Sequence, residues 1–129
     1  EKKFLVKSNE IDNLINFYRE NSCDYAYNHI PKDNFYPDGL GAEIISFDLL
    51  KYMNEVVTSQ HHKEHCLSYI WDNQDRYTIK TFNPLDKELH YPQMKFDVDT
   101  FDDYHKLAMK DFTIDVSSQE LIKIFGEEK

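Results

Sequence analysis

The chain has 129 residues, with 24 acids against 15 bases and a formal net charge of −9. A chain of this size holds one core that buries roughly two-thirds of the unfolded surface. Its acidic balance excludes a broad attractive field for nucleic acid or an anionic membrane. Hydrophobic residues make up 40% of the sequence, with nine Tyr and nine Phe, which excludes a disordered acidic segment.

We treat residues 1–129 as a single unit. Cys23 and Cys66 stand far apart and form neither a disulfide framework nor a CxxC motif, so a reducing, cytoplasmic location is expected. No apolar run approaches the ~20 residues of a membrane span, and Glu1-Lys2-Lys3-Phe4-Leu5-Val6 does not read as a signal peptide.

After Phe4-Leu5-Val6, Ser8 or Asn9 is expected to cap a helix with Ile11, Leu14, Ile15 and Tyr18 on its apolar face, ending near Asn21. An aromatic strand is expected over residues 24–29. A shaped loop over residues 30–40, with Pro31, Pro37 and Gly39, leads to a strand over residues 42–45. Ser46 caps a helix with Phe47, Leu50, Met53, Val56 and Val57 as apolar positions, and Ser59 opens a further helix running to Trp71. Residues 76–82 alternate as a strand, with Tyr77, Ile79 and Thr81 on one side, until Asn83-Pro84 breaks it. A polar loop over residues 85–93 precedes a strand in which Met94, Phe96 and Val98 alternate with Lys95, Asp97 and Asp99. Thr100 with Asp103 then has near capping-box spacing for a helix to about Lys110. A strand around residues 112–116 and a helix capped by Ser117 or Ser118, with Glu120 in capping-box position, complete the chain. The alternation predicts an α/β fold with a mainly parallel sheet, although some connections are short enough for antiparallel pairs.

Three places offer chemistry. Asp99 closes a strand beside a helix start, where a carboxylate either caps the helix or holds a hard cation such as Mg²⁺. In the loop Tyr36-Pro37-Asp38-Gly39-Leu40-Gly41-Ala42-Glu43, glycines let backbone amides approach a ligand and Asp38 and Glu43 can accept bonds from sugar hydroxyls; the same pattern also makes an ordinary Pro-Asp-Gly turn. In His61-His62-Lys63-Glu64-His65-Cys66, the pairs His61/His65 and His62/Cys66 are one helical turn apart, a zinc-ligand spacing without a second matching pair elsewhere; a helix end whose Lys63 and His65 face an anionic ligand or solvent is the commoner arrangement. No P-loop, GxGxxG, GxSxG or HExxH motif is present.

Taken in order, Tyr36-Pro37-Asp38-Gly39-Leu40, Glu43-Ile44-Ile45-Ser46-Phe47, Lys63-Glu64-His65 and Val98-Asp99-Thr100 with Asp102-Asp103 carry a likeness. Over residues 11–106 the chain resembles the carboxyl-terminal half of the cytidylyltransferase-like family of spore coat polysaccharide biosynthesis protein F, relatives of the CMP-Kdo and CMP-sialic acid synthetases. The resemblance implies part of a nucleotide-diphospho-sugar transferase (GT-A-like) α/β/α sandwich. It implies transfer of CMP from CTP to a sugar acid, with Mg²⁺ as cofactor and no nucleic-acid or membrane partner. On the matching motifs, Asp99 would be the metal ligand, Lys63 and His65 catalytic groups, and Asp38, Gly39, Glu43, Glu64 and Lys95 substrate contacts.

Gly41 stands where that family has Asp, Lys63 and Lys95 where Arg is usual, and Phe101 where Pro is usual. The family's nucleotide-binding half would precede Phe4, so a fragment inactive by itself, and a homo-oligomer, are expected. Two alternatives remain open: a non-catalytic sugar-binding or oligomerisation module of the same fold, and a metal-binding interaction domain built on residues 61–66.

Overall fold

The computed structural model describes residues 7–65, 67–96, 100–108 and 116–126. Phe4 to Val6, Cys66, Asp97, Val98, Asp99 and the predicted strand at 112–116, apart from Val116, lie outside the described residues.

A mixed sheet carries the fold. Strands β1 (Tyr25–Tyr27), β2 (Glu43–Ile45) and β3 (Ile79–Thr81) lie in the order β2-β1-β3. β1 runs antiparallel to β2, with Tyr25 opposite Ile45 and Tyr27 opposite Glu43, and parallel to β3, with Tyr25 opposite Ile79. Among the described strands, one antiparallel and one parallel pairing thus stand where a mainly parallel sheet was expected. The chain returns from β1 to β2 through a loop without a crossover helix, the connection that antiparallel neighbours permit.

Both faces of β1 are covered, so all three of its residues are buried. Helix α1 (Ser8–Glu20) packs on β1 and β2, and buries Leu14 from the predicted apolar stripe. Its N-cap is Lys7 rather than Ser8 or Asn9. The Lys7 backbone N–H, bonded to the Leu40 carbonyl at 2.9 Å, anchors the extended residue before the helix and leaves Ser8 in the first turn. Tyr25 and Tyr27, on one strand face by the two-residue period, form a core cluster with Met53 and Ile70. A second cluster gathers Leu40, Leu89, Met94, Phe96, Val116, Leu121 and Ile122.

Helix α2 (Phe47–Val56) starts as predicted, with Ser46 Oγ accepting the Leu49 N–H at 3.1 Å. Its buried face differs from the predicted one. Met53 is buried and Leu49 and Val57 pack partly against it, whereas Phe47, Leu50 and Val56 are exposed at 71%, 43% and 37%. Leu49, Met53 and Val57 follow a four-residue spacing, and that stripe rather than the 47/50 stripe meets the sheet.

The single helix expected from Ser59 to Trp71 is two short ones, α3 (Gln60–Glu64) and α4 (Ser68–Asp72). At His65, φ −123° and ψ 72° leave helical space, and its carbonyl accepts the Ser68 hydroxyl at 2.6 Å. Residues 74–76 form a 3₁₀ turn, which shortens the next strand to β3, and residues 87–89 form another, capped by Asp86, inside the predicted polar loop. Helix α5 (Phe101–Ala108) and helix α6 (Ser118–Gly126) follow, with Ser117 Oγ accepting the Glu120 N–H at 3.1 Å as its cap. Among the described residues, no helix is long and apolar enough to cross a membrane.

Burial pushes the Tyr27 hydroxyl up to about 12 and raises Tyr25 and Tyr36 as well. The fold therefore favours the neutral phenols. Their stabilisation is complete below the ordinary value near ~10 and is lost as pH climbs from there through the raised values. Circular dichroism is expected to show cooperative unfolding in that alkaline window together with tyrosinate absorbance; tyrosinate forming near the ordinary value with the fold intact would contradict this.

Candidate functional site

The loop between β1 and β2 is shaped by two glycines. Gly39 adopts φ 100°, a left-handed conformation natural to glycine, and its N–H bonds the His29 carbonyl at 2.9 Å. A Cβ on Gly41 would overlap the Asn28 carbonyl oxygen and Oδ1. Asn28 is wholly buried and is the loop's anchor. Its side chain accepts from Ala42 N at 2.8 Å and donates to the Glu10 carbonyl at 2.9 Å.

Asp38 pairs with Lys95 as an isolated parallel bridge. The Asp38 N–H donates to the Met94 carbonyl at 2.9 Å, and Phe96 N donates back to the Asp38 carbonyl at 2.6 Å. The segment that continues toward Asp99 is thereby stitched to the Pro-Asp-Gly loop, with Met94 and Phe96 buried beneath it and Lys95 exposed. The predicted strand at 94–99 is present as this bridge within its described residues, 94–96.

Glu43, at the start of β2, is the hub of a hydrogen-bonded chain. Trp71 Nε1 donates to the Tyr25 hydroxyl at 3.2 Å, that hydroxyl donates to Glu43 Oε1 at 2.6 Å, and the same oxygen lies 3.1 Å from His29 Nε2. Burial, then the Glu43 charge, holds the Tyr25 hydroxyl protonated far into the alkaline range, so it acts as a neutral donor. His29 is 6% exposed, and its Nδ1 is buried with no hydrogen-bond partner among the described residues. With Nε2 facing Glu43, Nδ1 is a buried ring nitrogen that an enclosed water would satisfy.

Gly39 and Glu43 thus both meet His29, through the Gly39–His29 backbone bond and the Glu43 Oε1–His29 Nε2 contact, and the Asp38–Lys95 bridge adjoins Gly39. Lys63 and Glu64 on exposed α3, with His65 at its end, form a second group. Lys63 lines a cleft of about 320 Å³ with Leu50, Met53, Asn54, Val57 and His62, and Glu64 accepts from Gln60 at 3.0 Å. Asp99 lies outside the described residues.

His29, Tyr25 and Trp71 were not singled out from the sequence. Tyr25, Tyr27 and His29 occupy alternate positions, and the period-2 rule alone places them on one face; the rings at 25 and 27, and those at 27 and 29, are each 5.8 Å apart. Asp72 was missed for a different reason. In one continuous helix, His62 and Asp72 would be separated by about 15 Å along the axis, whereas the break at His65 brings His62 Nε2 to 2.7 Å from Asp72 Oδ2.

No family model matches the chain, and no curated protein matches it in sequence. In fold it is similar to a solved structure, a cytidylyltransferase from Leptospira borgpetersenii serovar Hardjo-bovis, with a TM-score of 0.73 at 18% sequence identity. The likeness covers 95% of this chain and 52% of that one, so this chain spans about half the length of the structure it resembles. At this identity the shared property is the fold.

Proposed function

We propose that the chain is the acceptor-side part, a single unit, of a cytidylyltransferase-like enzyme that transfers CMP from CTP to a sugar acid in surface polysaccharide or glycan biosynthesis. The observation that carries this reading is the Asp38–Lys95 bridge, which joins the Pro-Asp-Gly loop to the segment entering Asp99 within a cytidylyltransferase fold. These are the two motifs that the resemblance places on either side of the reacting groups.

In this reading Asp38, Gly39 and Glu43 face sugar hydroxyls, buried His29 holds Glu43 in place, and exposed Lys95 attracts the acid group. Lys63, Glu64 and His65 approach from α3. The Glu43 carboxylate, already held by Tyr25 and His29, does not suit a hard cation. The resemblance assigns magnesium to Asp99 as one of two metal carboxylates, where its chemistry would be neutralising charge on the departing pyrophosphate. A cytoplasmic location and self-association belong to the same reading.

Self-association is supported by α2, where Phe47, Leu50, Tyr52 and Val56 are all exposed apolar or aromatic side chains on one short helix. Light scattering is expected to give a mass above that of the monomer; a clean monomer at high concentration contradicts a homo-oligomer.

The reading is tested by pyrophosphate release. The longest natural polypeptide carrying this chain, given CTP and a panel of sugar acids, should release pyrophosphate only when both substrates are present. Sugar-acid binding by a folded protein that never releases pyrophosphate would favour the non-catalytic module instead.

A further inference from the structure

We infer that His61, His62 and Asp72 bind a zinc-class transition-metal ion that clamps α3 to α4. Each residue offers one ligand atom, and these three atoms lie within 4.8 Å of one another. His62 Nε2 is 2.7 Å from Asp72 Oδ2, and the His61 ring is 5.4 Å from those of both His62 and His65. Tetrahedral ligands at Zn²⁺ bond lengths of about 2.0–2.2 Å sit roughly 3.4 Å apart, so side-chain rotation of about an ångström closes the set. Adjacent helix residues ordinarily diverge. Here His62 turns toward Asp72, with Tyr69 packed edge-on against it at 5.5 Å, while the His61 ring lies near it.

The donor chemistry selects the ion. Two imidazoles and one carboxylate suit zinc, nickel or copper, whereas magnesium and calcium call for oxygen ligands. Three protein ligands leave a coordination position open, as in zinc sites that bind water or a further ligand.

The placement gives the ion something to do. Helices α3 and α4 have five residues each, a length that does not sustain a helix by itself, and they meet at a break. An ion shared by His61 and His62 on one helix and Asp72 on the other fixes their relative position and closes the intervening loop. His62 and Lys63 also line the cleft against α2, so occupancy sets the position of that wall. The inference does not depend on the cytidylyl-transfer reading, which uses neither His61 nor Asp72.

The test is zinc titration of the metal-stripped, tag-free chain by calorimetry, with Co²⁺ as a spectroscopic substitute. One Zn²⁺ per chain is expected, with Mg²⁺ failing to compete and Co²⁺ giving the visible bands of a four- or five-coordinate site. His61→Ala and Asp72→Asn should each weaken zinc binding by at least about tenfold. Asp72 is exposed and Asn retains an oxygen for His62, so that variant does not put folding at stake. Absence of stoichiometric zinc binding, equal binding of Mg²⁺, or unchanged affinity in both variants would overturn the site.

Discussion

Gly41→Asp is expected to destabilise the fold by about 3 kcal/mol or more, enough to unfold a marginal domain. The added Cβ would occupy the space of the Asn28 carbonyl oxygen and Oδ1, which are held in place from three directions. Asn28 N donates to the Ala42 carbonyl at 3.0 Å, Oδ1 accepts from Ala42 N, and Nδ2 donates to the Glu10 carbonyl on α1. Relieving the overlap means displacing the end of β1 or surrendering these bonds, and each buried polar group left unpaired costs about 1–3 kcal/mol. Urea denaturation measures the effect; a midpoint unchanged from the parent would show that the loop tolerates a side chain there. The consequence reaches function. Gly41 departs from the Asp of the resembled family pattern, and the approach of Asn28 supplies a packing reason for it, so the glycine is no sign of a discarded acidic ligand.

How much was legible in the sequence varies with the range of the interaction. Helix α1 is written in local periodicity, and Leu14 of its predicted stripe is buried where the helix packs on the sheet. Helix α2 was legible as a helix but not as a face, because Phe47 and Leu50 compete with Leu49 and Met53 for the apolar side and only the sheet decides between them. The ends of α1 and β3 depended on backbone bonds to remote residues, such as Lys7 to Leu40 and Asp24 to Thr78.

The site follows the same rule. Asp38 and Lys95 were identified separately, but their pairing is made by backbone groups far apart in sequence, for which no side-chain pattern exists. Glu43 was identified as a substrate contact. Its partners Tyr25 and His29, and Trp71 behind Tyr25, come from β1, the residues after it and α4, so their convergence is a property of tertiary structure. The cluster at residues 61–66 was legible as a run of ligands. The approach of Asp72 to His62 was hidden by the assumption of an unbroken helix.

The second large effect concerns Asp99, to which the bridge at Lys95 leads. Transfer of a nucleotidyl group between oxygen atoms asks the protein to neutralise phosphate charge and to align the reactants, with no need for a protein nucleophile. In the proposed reading Asp99 is one of the carboxylates that hold the charge-neutralising ion, and Glu43 Oε1 is already engaged by Tyr25 and His29. Replacing such a group is expected to lower turnover by about a hundredfold to a thousandfold, the loss that follows removal of one electrostatic contact to the transition state. Affinity for the sugar acid should change little, because the proposed acceptor contacts Asp38, Gly39, Glu43 and Lys95 remain in place. The most direct measurement is therefore CMP-sugar formation from CTP and a sugar acid by the longest natural polypeptide carrying this chain, compared with its Asp99→Ala variant. A CTP-dependent product that nearly vanishes in the variant, with sugar-acid binding retained, is the predicted result; undiminished product from the variant, or none from the folded parent with any sugar acid, would contradict the assignment.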